Sequence, residues 1–235
     1  MDTQTRHALK KDKFAQATAS SVSWVSLHRS GVLRLVIAVV VVIALCVGGA
    51  IFWNTRTTAA DTALGTAIDT YNGPLAVAGA PGEPNTYSTA ADRSRAANKQ
   101  FVAVAQQYGW LPEGAKAHYF AGITFEELGQ NGSAESELKI AAGSWDHNLA
   151  NLAKVALAAV YHQSARDPQA IDLYNQIIAK PSETVAAGVA QLDLADLYVA
   201  ENNTKQARDI WAKLKDSDKD GEAGSIATQK LAGKK

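Results

Sequence analysis

The sequence predicts an all-α chain, with a single N-terminal transmembrane helix followed by an α-solenoid of about three to four helix pairs. Three observations lead there. The 235 residues include 44 Ala and only 6 Pro, and Ala loses no side-chain entropy in a helix. One run, Leu35 to Trp53, holds 19 residues without a charge. Beyond Leu111 the chain repeats itself at intervals of 36 and 37 residues.

Charge and cysteine content narrow the function classes. Lys and Arg total 23 against 23 Asp and Glu, which argues against a generally basic nucleic-acid binder. The single Cys excludes a disulfide framework and any multi-cysteine metal site. The zero sum hides an asymmetry. Residues 1–34 hold six cations and two anions, and the remaining residues hold 17 cations and 21 anions.

The boundary between these parts is the apolar run. At a rise of about 1.5 Å per residue it spans about 28 Å, close to a hydrocarbon core of about 30 Å. Its twelve Leu, Ile, Val and Phe residues favour insertion by roughly 4–7 kcal/mol. The β-branched run Val39 to Ile43 is no obstacle, because in lipid the backbone polar groups have no partners except one another. Arg34 can snorkel to one interface, and Trp53 suits the other. The basic N-terminal flank predicts residues 1–31 as a cytoplasmic tail, 32–53 as the anchor, and everything beyond as extracytoplasmic. A cleaved leader fits less well, since the apolar run begins late and ends in Ile51-Phe52-Trp53 instead of small residues. Leu45 before Cys46 also disfavours a lipoprotein site, leaving Cys46 as an inert thiol in the membrane. The tail carries a weak helical pattern over 5–30, read either as an interfacial helix or as a topology-setting basic flank.

Residues 54–70 continue the helical pattern outward, and Asn72-Gly73-Pro74 with Pro81-Gly82-Glu83-Pro84 breaks it, so 71–87 is expected to be a loop. This gives a juxtamembrane segment over 54–87 and a repeat domain over 88–235. A helix is expected from about Ser88 to Tyr108, with Ala97, Phe101 and Val104 on one face. Then Gly122, Ala158 and Ala195 can be aligned. Three residues on stand Phe125, Tyr161 and Tyr198; twelve on, Ala134, Ala170 and Ala207. Sixteen on stand Leu138, Tyr174 and Trp211; nineteen on, Ala141, Ile177 and Leu214. The small residue allows close helix approach, the aromatic fills the gap, and the Ala keeps the second helix tight. Turn signals fall between the helices at Gly129–Gly132 and Glu201–Thr204, with Asp167 as an N-cap before Pro168. Trp110 and Trp145 are expected to pack at the junctions, and a last helix near Glu222–Leu231 to cap the stack. An alanine-rich bundle with accidental periodicity is the alternative.

These offsets resemble the tetratricopeptide repeat, a helix–turn–helix unit. His118, Lys154 and Gln191 stand where such repeats often have Trp. On that template the first helix of each pair lines an inner groove. It would carry Tyr119, Ile123 and Glu126, then Val155, Ala159 and His162, then Leu192, Asp196 and Val199. A mixed apolar and weakly acidic face suits a segment of another protein better than a phosphate or a nucleic acid.

Chemistry is sparse. No Gly-rich phosphate loop or nucleophile elbow is present, and His7, His28, His118, His147 and His162 lack metal-ligand spacing. Asp216-Ser217-Asp218-Lys219-Asp220-Gly221 matches the first half of a calcium loop, but position twelve is Ala227, where a bidentate Glu is needed. The expectation is a protein that is not an enzyme and needs no cofactor. The whole layout resembles the ancillary subunits of the bacterial SecYEG translocon: Lys10-Lys11-Asp12-Lys13-Phe14, the anchor, the Ala-rich 58–70 helix and the degenerate repeats. That resemblance implies an inner-membrane, single-pass protein with a periplasmic domain, working beside the translocon and periplasmic chaperones. The Pro-rich 71–87 insertion departs from the pattern. An alternative is a scaffold for an envelope secretion, division or outer-membrane complex.

Overall fold

A computed structural model describes residues 29–76 and 86–233. The reading of the N-terminal tail and the centre of the 71–87 loop lie outside the described residues. Within them the secondary structure is helical. The helices are α1 (Arg29–Tyr71), α2 (Ala90–Tyr108), α3 (Pro112–Glu127), α4 (Asn131–Ala142), α5 (His147–Gln163), α6 (Asp167–Ala179), α7 (Ala187–Ala200), α8 (Thr204–Ser217) and α9 (Glu222–Ala232). The one extended feature described is an isolated parallel bridge between Leu75 and Tyr87, which closes the ends of the expected loop. The described chain falls into two compact units, divided between Arg56 and Thr57.

The first unit holds the N-terminal part of α1. This helix is long and apolar enough to cross a membrane. Its apolar side chains are exposed among the described residues: Val40 is 58% exposed, Leu45 71% and Ile51 60%. Cys46 is exposed on the same helix. The Arg56 guanidinium lies 5.4 Å from the centre of the Phe52 ring, so the polar end of the apolar run is marked by a cation on an aromatic face.

The second unit buries a core running through all its helices. From Thr57 onward α1 contributes Ala60, Leu64 and Ala67, which meet Ala97, Phe101 and Val104 of α2 and Ala117 and Ala121 of α3. A polar ladder runs along this part of α1, where Thr62, Thr66 and Thr70 each donate a hydroxyl hydrogen bond to the carbonyl four residues back. Phe101 stacks on Phe120 at 5.1 Å between ring centres. Asn98, buried, donates to the Ala121 carbonyl and to Thr124 Oγ1, so a polar group inside the core is satisfied.

Each later helix packs on the next in sequence. The repeat positions supply the core. Ala134, Ala170 and Ala207 are all fully buried, as are Leu138 and Trp211 at the following large position, where Tyr174 is buried but for a small part of its surface. A β-carbon on Gly122 would sit 2.5 Å from Leu138 Cγ, which explains the absence of a side chain there. On α4, Glu135 bridges Lys139 of the same helix and Arg166 of the α5–α6 connection: Arg166 Nη2 donates at 2.5 Å and Nη1 at 3.2 Å, while Lys139 Nζ lies at 2.6 Å. The Arg166 guanidinium also lies 4.5 Å from the Tyr161 ring centre.

Several local expectations are corrected. Thr89 caps α2, accepting from the Asp92 amide, so the helix begins at Ala90 and not Ser88. Asp167 does not cap α6 but is its first residue, and its carboxylate pairs with His162 instead. Trp145 is 80% exposed, so it does not pack the junction. Its neighbour Asp146 turns inward to cap α5, accepting from Asn148 and Leu149 amides, and the turn throws the indole outward. Trp110 is half-exposed, likewise not a buried junction residue. The final helix, α9, extends one residue past the expected end.

Candidate functional site

A groove of about 440 Å³ lies across α3, α5 and α7. Helical periodicity builds it. Tyr119, Ile123 and Glu126 share one face of α3, while Ala117, Ala121 and Thr124 on another face enter the core. Leu152, Val155, Ala156 and Ala159 form the floor on α5, again at steps of three and four. Val189 and Asp193 come from α7, four apart. Tyr174 of α6 with Thr184 and Val185 of the α6–α7 connection complete the lining.

Two carboxylates stand in this apolar setting. Burial raises the Glu126 carboxyl above its ordinary range; the Gln163 bond opposes the shift and neighbouring Glu127 adds to it. Gln163 Nε2 donates to Glu126 Oε1 at 2.6 Å. Burial also raises Asp193, assisted by repulsion from Asp196. The tyrosines follow. Burial and then Glu126 raise Tyr119, while burial, Asp193 and Asp196 push Tyr174 up to about 12, so both phenols stay protonated at neutral pH. No Lys, Arg or His is among the lining residues. The groove therefore holds negative charge in partly desolvated surroundings without a cation of its own.

Of the nine residues expected on the inner face, Tyr119, Ile123, Glu126, Val155 and Ala159 come together here. The other four do not line it. His162 is exposed at the end of α5, with Nδ1 2.6 Å from Asp167 Oδ1. Leu192 and Val199 pack against the cluster of Ala195, Trp211 and Leu214. Asp196 is exposed and bonds Lys230 Nζ at 2.7 and 2.9 Å. On α7 the groove is lined one turn earlier than the strict repeat register places it, by Val189 and Asp193. Periodicity within α7 was a usable signal, since Val189 and Asp193 share one face. The contributions of Tyr174, Thr184 and Val185 arise from a second helix and a connection, which the template does not cover.

A larger hollow of about 570 Å³ lies between the α4–α5 and α6–α7 connections, lined by residues including Asp146, His147 and Glu183. It is open, and its polar groups serve the loops. Asn148 Oδ1 accepts from the Glu183 amide, and Thr184 Oγ1 donates to the Asn148 carbonyl. Among the described residues no group of three or more His, Cys, Asp or Glu side chains is placed to hold a metal. In the acidic turn, Asp218 Oδ2 accepts from the Gly224 amide at 3.0 Å and so caps the start of α9. No protein-family model, curated protein or solved structure matches this chain.

Proposed function

We propose that this protein is a membrane-anchored, extracytoplasmic protein–protein interaction module whose groove across α3, α5 and α7 binds a segment of another polypeptide. The observation that carries this reading is the groove itself. It has an apolar floor, two half-buried carboxylates and two neutral phenols, and its lining residues form no nucleophile–base pair. Such a surface recognises side chains; it offers nothing to a phosphate. The helix pairs with buried small–large positions support a tetratricopeptide-like solenoid. The apolar stretch of α1 and the basic N-terminal flank support a single-pass protein of the bacterial inner membrane with the helix stack in the periplasm.

Within that frame the sequence layout favours association with the Sec translocon, its emerging chains or periplasmic chaperones. Assembly of an envelope complex is the second reading. A photo-crosslinking residue at Val155, in the floor, tests both in native membranes, with exposed Asn175 on α6 as the control. Adducts to SecY, nascent chains or chaperones at Val155 alone support the first, and adducts to a secretion, division or outer-membrane assembly support the second. Equal adducts at both positions, or none at Val155, would refute a polypeptide-binding groove.

A further inference from the structure

The groove's two carboxylates differ from those that hold an ion pair on the helix stack. Glu135 has Arg166 and Lys139, Asp196 has Lys230, and Asp92 has Arg95. In the groove, Glu126 is met on one oxygen by a neutral amide, Gln163, and Asp193 accepts no hydrogen bond from any described residue. These carboxylates stand on different helices, α3 and α7, with the aliphatic floor of α5 completing the same hollow. Keeping a carboxylate half-buried without a cation costs stability. A ligand that supplies the cation recovers that cost on binding. The rings of Tyr119 and Tyr174 add electron-rich faces of the kind cations favour.

We propose that the occupant of the groove is an extended polypeptide segment that alternates aliphatic residues with lysine or arginine, its cations seated on Glu126 and Asp193. The inference rests on the groove being a polypeptide-binding site and adds the chemistry of what enters it. The aliphatic residues belong on Leu152, Val155, Ala156 and Ala159, and the cations at the carboxylates. An acidic segment is repelled, and a purely aliphatic one leaves the carboxylates buried without partners.

The test is fluorescence anisotropy on the full-length protein in nanodiscs. The probe is a short labelled peptide alternating lysine with valine and alanine. Matched peptides carry norleucine or glutamate in place of lysine. The lysine peptide is expected to bind at least about tenfold more tightly than the norleucine peptide, and the glutamate peptide not to bind. The double variant Glu126→Gln, Asp193→Asn should erase the lysine preference, bringing the affinity of the lysine peptide to that of the norleucine peptide. Equal binding of lysine and norleucine peptides, retention of the preference by the double variant, or no binding at all would overturn the proposal. Ala159→Trp, which fills the floor, separates the two levels. If it leaves peptide binding unchanged, the groove reading itself fails. If it abolishes binding that shows no lysine preference, only the cationic specificity fails. Circular dichroism establishes that each variant keeps its helices.

Discussion

Two sets of carboxylates on the same helix stack are treated in opposite ways. Where the α5–α6 connection meets α4, Glu135 is gripped by Arg166 first and Lys139 second, and its carboxyl is held down to about 2. In the groove, burial is the leading influence on Glu126 and Asp193, and both are raised. The first arrangement stabilises the stack and the second costs it. The Glu135 charge is paired within the chain, while the groove carboxylates have no Lys, Arg or His among the lining residues. Substitutions at the two places should therefore have opposite signs for stability and separable effects on binding.

The largest effect is expected where the packing is tightest. Gly122→Val places its β-carbon against Leu138 and should cost about 2–4 kcal/mol in urea unfolding. A substitution of similar bulk in the groove, Ala159→Leu, should cost less than about 1 kcal/mol, because open volume lies beside it. If both cost the same, the distinction between a fastening face and a binding face is lost.

Next comes the Glu135 bridge. Glu135→Gln should lower the thermal midpoint by several degrees at neutral pH. Because the folded carboxyl is depressed, its stabilisation is fully present above the ordinary carboxylate pKa and fades as pH falls toward about 2. Wild type and variant should thus converge in acid, and thermal melts from pH 7 downward will show whether they do.

For Glu126 and Asp193 the sign reverses. Their raised values mean that ionisation penalises the folded state above the folded pKa, and that the penalty disappears below the ordinary carboxylate pKa. Glu126→Gln with Asp193→Asn should stabilise the protein at pH 7 by less than about 1 kcal/mol after solvent screening, and by nothing in acid. A loss of stability at pH 7 would contradict the contrast.

The smallest effect belongs to Asp196. It is exposed and paired with Lys230, so Asp196→Asn should change stability by no more than about 0.5 kcal/mol and leave groove binding unchanged.

Asp196 also marks how far the sequence could be read. The core was legible because burial repeats: Ala134, Ala170 and Ala207 recur with their large partners at a fixed offset, and all are buried. The groove was legible on α3 and, apart from His162, on α5, where the repeat register and helix rotation agree. On α7 the lining comes one turn earlier, so Asp193 stands there while Asp196 reaches Lys230 on α9. A repeat register fixes which residues pack inward; it does not fix how the opposite face meets its neighbours. Trp145 escaped for a related reason. Its bulk suggested packing, but the cap at Asp146 sets the direction of the turn. The Glu135–Arg166 pair joins a helix to a connection 31 residues away, and single-sequence patterning does not identify such pairs.

The functional account requires the helix stack and the basic tail to lie on opposite sides of the membrane. Trp145, 80% exposed, offers the direct test. In a Cys46→Ser background, Trp145→Cys and Ser20→Cys variants are each treated with a membrane-impermeant maleimide in intact spheroplasts. The account predicts labelling at position 145 and none at position 20 until the cells are lysed. Labelling at 20 with protection at 145 would place the groove in the cytosol and contradict it.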